Sequence, residues 1–147
     1  MSSEIRNIVL ADDDEDDCLL FQDVIVDLNI NATITTAGNG EQLLQLLRQS
    51  IDRVPDLIFL DMNMPLRDGL ECLKEIRKSP NLQNVPVIIL STSSHSQTVE
   101  RVFNEGANLY IRKPDSFEKL RSILENIFTN GKSRLMSREK EEFLITE

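Results

Sequence analysis

The stretch IRNIVLADDDEDD (residues 5–17) runs from branched apolar residues straight into six consecutive carboxylates. A short run of branched apolar residues is typical of a buried strand. The acids allow two interpretations. They could favour the positive end of a helix dipole, with Asp14 as the N-cap, or some of them could hold a cation. Asp12 and Asp13, which follow the strand directly, are the candidates for the cation, and this stretch alone leaves both interpretations open.

Length and composition predict an ordinary globular domain. The chain has 147 residues, of which 40% are hydrophobic and 28% charged, enough for one domain with a full core. A net charge of −9 and a pI near 4.6 argue against partners such as nucleic acid or an anionic membrane. No apolar run approaches the roughly 20 residues that span a bilayer, and no secretion signal is recognisable, so we expect a cytoplasmic protein. Cys18 and Cys72 are predicted to be buried thiols in a reducing compartment.

Five apolar segments alternate with five amphipathic ones. The apolar segments lack a clean two-residue alternation, which indicates strands covered on both faces, and the segments between them have helical spacing. This order is typical of an α/β fold with a parallel sheet between two layers of helices. We expect one domain over residues 1–130 and a charged tail over 131–147, with no output domain; the tail could be disordered, helical or part of a homodimer contact. The predicted strands are 5–11, 31–37, 56–61, 87–91 and 108–113.

Polar side chains follow four of the predicted strands. In an open parallel sheet, ligands bind at the carboxyl ends of the strands, near the point where the strand order reverses. Each residue alone has an ordinary explanation, since Asp caps helices and begins turns, Ser satisfies backbone groups, and Lys is mostly solvated. Together they predict a Mg²⁺ site beside a hydroxyl and an ammonium that suit a phosphoryl group. These residues are Asp12, Asp13, Asp61, Ser91 and Lys113.

Asp61 is the candidate nucleophile among these carboxylates. It follows the predicted central strand, and an aspartate can form an acyl phosphate.

Four motifs, taken in order, resemble the receiver domain of bacterial two-component response regulators. They are the acidic pair of VLADDD (9–14), the aspartate of DLIFLDMNMP (56–65), the hydroxyl of VIILS (87–91) and the KP of YIRKP (110–114). The resemblance covers residues 5 to about 129. It implies a flavodoxin-like, doubly wound (βα)5 fold with a parallel five-stranded sheet in the order 2-1-3-4-5. The chain looks like a stand-alone receiver of the chemotaxis type, and ILSTSS (89–94) also resembles regulators paired with phytochrome-type kinases.

The resemblance implies a role for each site residue. Asp61 would be the phosphoryl acceptor, and Lys113 would pair with the phosphoryl group. A cis peptide bond before Pro114 would place that ammonium over the site. The implied Mg²⁺ ligands are Asp12, Asp13, Asp61 and the backbone carbonyl of Asn63.

A switch is also implied by the resemblance. Ser91 would move toward the phosphoryl oxygen, and the rotamer of Tyr110 would report that movement. For Tyr110 an ordinary, partly buried strand aromatic remains the alternative.

The expected function is that of a phospho-acceptor signalling protein rather than an enzyme. A histidine kinase or phosphotransfer protein would phosphorylate Asp61 in the presence of Mg²⁺. A downstream protein effector would then recognise the face built from the fourth helix, the fifth strand and the fifth helix. The alternative is a Mg²⁺-dependent phosphohydrolase with Asp61 as nucleophile, although Asn63 stands where a second carboxylate would act as general acid. A flavodoxin-like cofactor carrier is disfavoured, because no Gly-rich phosphate loop follows the first strand.

Overall fold

The computed structural model describes residues 5–49, 53–137 and 139–146, and strands alternate with helices throughout these ranges. All five predicted strands are confirmed, with ends that differ by at most two residues. The strands are β1 (Asn7–Ala11), β2 (Thr33–Ala37), β3 (Leu57–Asp61), β4 (Val87–Ser91), β5 (Leu109–Arg112) and β6 (Leu144–Ile145). The helices are α1 (Glu15–Asp27), α2 (Gly40–Arg48), α3 (Gly69–Lys78), α4 (Ser96–Asn104) and α5 (Phe117–Ser137), with a 3-10 turn at Lys140–Glu142. None of the helices in these ranges is both long and apolar enough to cross a bilayer.

The described strands form one parallel sheet in the order β2-β1-β3-β4-β5-β6. The predicted order 2-1-3-4-5 is confirmed, and β6 extends it by one short strand beside β5. The order reverses at β1, which has β2 on one side and β3 on the other. The carboxyl ends of β1 and β3 therefore border the crevice in which sheets of this kind bind ligands.

Helices cover both faces of the sheet, which explains why its central strands are apolar along their whole length. Every residue of β3 and β4 is buried. One face packs against α2, α3 and α4 through residues such as Leu43, Leu73 and Val102. The other face packs against α1 and α5 through residues such as Phe21 and Leu124. The two apolar layers hold β3 in the middle of the molecule, so the core sets the position of the residue that ends it.

Local sequence determines where the helices next to the strand ends begin. Asp14 caps α1 as predicted, because its side chain accepts hydrogen bonds from the backbone N–H groups of the first turn at 2.9 and 3.2 Å. Asp68 and Glu71 form a capping box at the start of α3. Gly69 is required there, since a Cβ at this position would lie 2.6 Å from the carbonyl oxygen of Asp61. The start of α3 thus packs on the backbone that carries Asp61.

The chain turns back toward the sheet near the end of α5. Gly131 has a φ of 74°, a left-handed conformation that interrupts the helix at the TNG sequence where its end was predicted. Helical turns then resume as far as Ser137. The carbonyl of Leu135 accepts a hydrogen bond from the buried amide of Asn108 at 3.0 Å. This part of the predicted tail is therefore attached to the sheet, and the division of the chain at residue 130 stays a prediction.

Residues 139–146, the C-terminal segment, pack beside β5 and α4. Within this segment the side chain of Phe143 is buried. Its ring packs edge to face on that of Phe103 in α4, with ring centroids 5.0 Å apart. The carbonyl of Phe143 accepts a hydrogen bond from the N–H of Tyr110 at 2.9 Å, and β6 pairs with β5 just beyond it. One aromatic side chain thus anchors the segment that completes the sheet.

We expect Phe143→Ala to detach the C-terminal segment. Truncating a buried Phe costs about 3–5 kcal/mol, more than a two-residue strand can offset. The Tyr110 amide, monitored by hydrogen exchange, should therefore exchange at least about 30-fold faster than in the parent protein. Leu144→Ala is the matched control, because that side chain is 38% exposed, and we expect less than about a fivefold change. Equal Tyr110 exchange rates in the parent protein and Phe143→Ala would contradict this anchoring role.

Candidate functional site

The carboxyl ends of four strands bring the predicted polar residues together. Asp12 follows β1, Asp61 ends β3, Ser91 ends β4 and Lys113 follows β5. The side chains of Asp12, Asp61 and Ser91 are buried, although charged residues are rarely buried unless they are paired. The polar groups at this edge of the sheet are therefore buried, unlike those of an ordinary solvated surface.

Three carboxylates converge at this edge. One oxygen each from Asp12, Asp13 and Asp61 lies within 4.8 Å of the other two. Backbone N–H groups orient the buried pair, since Asp14 donates to Asp12 at 3.0 Å and Asn63 donates to Asp61 at 3.2 Å. Three hard oxygen donors around a common point fit a divalent cation. The predicted role of the Asn63 carbonyl as a ligand stays a prediction.

The Lys113 ammonium is shared among carboxylates from three elements. Its Nζ lies 2.9 Å from an oxygen of Asp12, 2.9 Å from Asp17 and 3.3 Å from Asp61. With Asp13, which lies beside Asp12 and Asp61, four carboxylates outnumber this ammonium, so the site keeps a negative charge that attracts cations.

The predicted cis peptide bond before Pro114 is wrong. No peptide bond within the described residues is cis, so the Lys113–Pro114 bond is trans, the lower-energy isomer of an X–Pro bond. The ammonium reaches Asp61 without a cis bond. The N–H of Lys113 donates to the carbonyl of Ser91 at 2.7 Å, which fixes the backbone beside β4.

Burial and the charge of Lys113 have opposite effects on the pKa of Asp61, and burial and its hydrogen-bonded carboxylates have opposite effects on the pKa of Lys113. Burial raises the pKa of Asp61 to about 6; the Lys113 ammonium opposes this shift and the Asp12 carboxylate adds to it. Burial alone would lower the pKa of the Lys113 ammonium, but hydrogen bonds to Asp17 and Asp12 outweigh burial and hold that pKa above its ordinary value. At neutral pH the ammonium is therefore charged, and Asp61 is ionised against the cost of its burial.

Ser91 and Tyr110 are connected through Ser93. The Oγ of Ser91 accepts a hydrogen bond from the N–H of Ser93 at 3.1 Å, and the hydroxyl of Tyr110 donates to the Ser93 carbonyl at 2.7 Å. Tyr110 is fully buried in this arrangement. The two predicted switch residues thus meet at one loop, while their movement stays a prediction.

Asp17 belongs to the site, and the sequence interpretation missed it. The acidic run predicted Asp17 only as part of the first turn of α1. A signal was available, because the third residue after an N-cap lies on the face that turns back toward the cap and the preceding strand end. Glu15 and Asp16, the other acids of that turn, are exposed.

Neither thiol is among the converging carboxylates, although the Sγ of Cys18 donates to the backbone carbonyl of Asp12 at 3.7 Å. Cys72 is buried and Cys18 is half-buried, and both are free. Burial raises the pKa of each thiol to about 11, so both are protonated at neutral pH and poorly suited to bind a metal.

The sequence matches a protein-family model over most of its length. The model of the response regulator receiver domain matches residues 8–125. The chain belongs to the response regulator receiver domain family. Relatives such as the response regulator Rcp1 agree with the expected signalling role. The flavodoxin-like receiver fold is confirmed as well.

The receiver is similar to regulators from several bacteria. It is 35% identical over 125 residues to the probable C4-dicarboxylate response regulator DctR of Bacillus subtilis, covering 85% of this chain and 53% of DctR, so it spans about half of that relative. It is 30% identical over 130 residues to the response regulator Rcp1 of Synechocystis, covering 86% and 88% of the two chains.

Solved structures of response regulators have a similar fold. The phosphorylated cyanobacterial phytochrome response regulator RcpA matches with a TM-score of 0.79 at 29% identity, covering 87% of this chain and 97% of RcpA. The Mn(2+)-bound form of Rcp1 matches with a TM-score of 0.76 at 29% identity, covering 84% and 92%.

Asp61→Asn should stabilise the receiver at pH 7.5 in buffer with a chelator. The pKa of Asp61 is raised to about 6 in the folded state from an ordinary value of 3.8. The stability that its carboxyl group contributes is therefore present below pH 3.8 and is lost as pH rises through about 6. We expect the amide to raise the free energy of unfolding by about 1–2 kcal/mol at pH 7.5, and by less at pH 5, as measured by urea unfolding. A gain that grows on acidification would contradict the raised pKa.

Proposed function

We propose that this receiver accepts a phosphoryl group on Asp61 from a histidine kinase or phosphotransfer protein, in a Mg²⁺-dependent reaction, and signals through changed protein contacts. The observation that carries the proposal is the buried Asp61 carboxylate at the end of β3, 3.3 Å from the ammonium of Lys113. A carboxylate in this position can act as a nucleophile, and the ammonium beside it is already placed to stabilise the negative charge of an incoming phosphoryl group.

In the proposed reaction an oxygen of the Asp61 carboxylate attacks the phosphorus atom of the donor's phosphohistidine. The new oxygen–phosphorus bond forms while the phosphorus–nitrogen bond breaks, and the electron pair of that bond stays on the imidazole nitrogen. Lys113 would donate a hydrogen bond to one phosphoryl oxygen and the hydroxyl of Ser91 to another. The raised pKa of Lys113 supports this role, because the ammonium stays charged throughout.

Asp12, Asp13 and Asp61 are the residues that we propose hold Mg²⁺, with the carbonyl of Asn63 as a further ligand. Their carboxylates are the hard oxygen donors that Mg²⁺ prefers. The Mn(2+)-bound form of Rcp1 supports a divalent ion in a similar chain. When bound, Mg²⁺ supplies positive charge that neutralises the phosphoryl oxygens.

We propose that the changed contacts lie on the face formed by α4, β5 and α5. The link through Ser93 supports this, because movement of Ser91 toward a phosphoryl oxygen would act on the ring of Tyr110. That ring lies near Phe143 of the C-terminal segment, with centroids 6.4 Å apart. A downstream protein effector or a second copy of this chain would meet a face that includes this segment.

Beryllofluoride, a phosphoryl mimic, should bind the parent receiver in the presence of Mg²⁺. We expect amide NMR shifts around Asp61 and along α4 and β5 in the parent protein, and none in Asp61→Asn, because the amide cannot hold the mimic. Asp115→Asn, an exposed carboxylate beyond Pro114, is the matched control and should respond like the parent protein. An identical response in Asp61→Asn would contradict the proposal, and steady hydrolysis of a small phosphate ester would favour the phosphohydrolase.

Loss of Asp13 should weaken Mg²⁺ binding. Removing one of three carboxylate ligands is expected to lower the affinity roughly tenfold or more, as measured by NMR titration with MgCl2 in Asp13→Asn. Glu15→Gln removes an equal charge from an exposed position two residues away, and screening by salt should limit its effect to less than about threefold. Equal losses in both variants would show that Asp13 acts only through its charge.

A further inference from the structure

The side chain of Asp17 accepts a hydrogen bond from Lys113. The phosphoryl transfer proposed above assigns no role to Asp17. Its carboxylate lies 2.9 Å from Nζ, as near as that of Asp12 and nearer than that of Asp61. Asp17 lies on α1, whereas the other two carboxylates lie at strand ends. The ammonium is therefore tied to a helix as well as to the sheet.

The three contacts use the full donor capacity of the ammonium. A lysine ammonium has three N–H donors and no acceptor. Lys113 has three carboxylate oxygens within 3.3 Å, one from each partner. A phosphoryl oxygen on Asp61 must therefore compete with these carboxylates for the N–H donors of Lys113.

Asp17 is the partner whose release costs least. Its side chain is 41% exposed, against 1% for Asp12 and 6% for Asp61, so water can solvate it at once. Asp12 and Asp61 are enclosed in the site and cannot turn toward water, whereas Asp17 at its rim can.

The contact also differs from an ordinary surface ion pair. Exposed pairs contribute little because both side chains are solvated and mobile. Here the side chain of Lys113 is only 16% exposed and two buried carboxylates hold it in place, so Asp17 meets a charge that is already positioned.

We propose that Asp17 is a positioning residue that competes with the phosphoryl group for the Lys113 ammonium and so sets how tightly the site holds that group. This inference rests on the proposed function. With Asp61 free, Asp17 holds the ammonium on the side of α1. With a phosphoryl group on Asp61, the ammonium exchanges Asp17 for a phosphoryl oxygen. Asp17 thus weakens binding of the phosphoryl anion both by competition and by repulsion.

The test compares Asp17→Asn with Asp16→Asn, which removes an equal charge from the same turn at an exposed position without contact to Lys113. Beryllofluoride is titrated at a Mg²⁺ concentration that saturates each variant. We expect Asp17→Asn to bind it about threefold or more tightly than the parent protein does, and Asp16→Asn to differ by less than about 1.5-fold. An equal change in both variants, or weaker binding by Asp17→Asn, would overturn the proposal.

A second measurement needs no phosphoryl mimic. The ammonium NMR signal of Lys113 is expected to shift in Asp17→Asn and to stay unchanged in Asp16→Asn, and an unchanged signal in Asp17→Asn would overturn the proposed contact. If that signal shifts but the parent protein binds no beryllofluoride, the proposed function fails and the competition fails with it. The two measurements thus separate the contact from the function that it serves.

Discussion

The ammonium of Lys113 between the carboxylates of Asp12 and Asp61 is the interaction on which the arrangement of this receiver depends. Parallel strands direct their carboxyl ends to one edge, and here two of those ends carry buried acids. Buried carboxylates without a partner would each be strongly unfavourable. Lys113, which follows β5, forms an ion pair with both carboxylates. The strands that lead to these acids can therefore be apolar and still have a buried charged residue at their carboxyl ends.

The positive charge of Lys113 does not fully neutralise the carboxylates at this edge of the sheet. Burial raises the pKa of Asp61 to about 6 even though Lys113 is close, because one ammonium is divided among several carboxylates. The site therefore keeps unmet negative charge at neutral pH. A divalent cation and a phosphoryl group bring opposite charges that such a site can accommodate together.

Much of this could be predicted from the sequence, because the signals were local. Apolar runs bounded by turn residues indicate buried strands, and the polar residue after each run marks the binding edge, so Asp61 and Lys113 could be assigned before their geometry was known. β6 could not, since two apolar residues in a charged segment have no periodicity to read. Asp17 was hidden within a run of acids whose helix-capping role already explained it. The bond before Pro114 was expected to be cis from resemblance alone, and an isomer is not determined by residue identity.

The position of β6 has a consequence for any protein that would add a strand at the edge of this sheet. Because β6 belongs to the same chain, it competes with such a strand at a high effective concentration. The apparent affinity of the incoming strand is its intrinsic affinity multiplied by the fraction of molecules in which the edge is open. A strand only two residues long also shields the edge of β5 from indiscriminate pairing. Pairing of β6 with β5 therefore lowers the apparent affinity of any other strand for this edge.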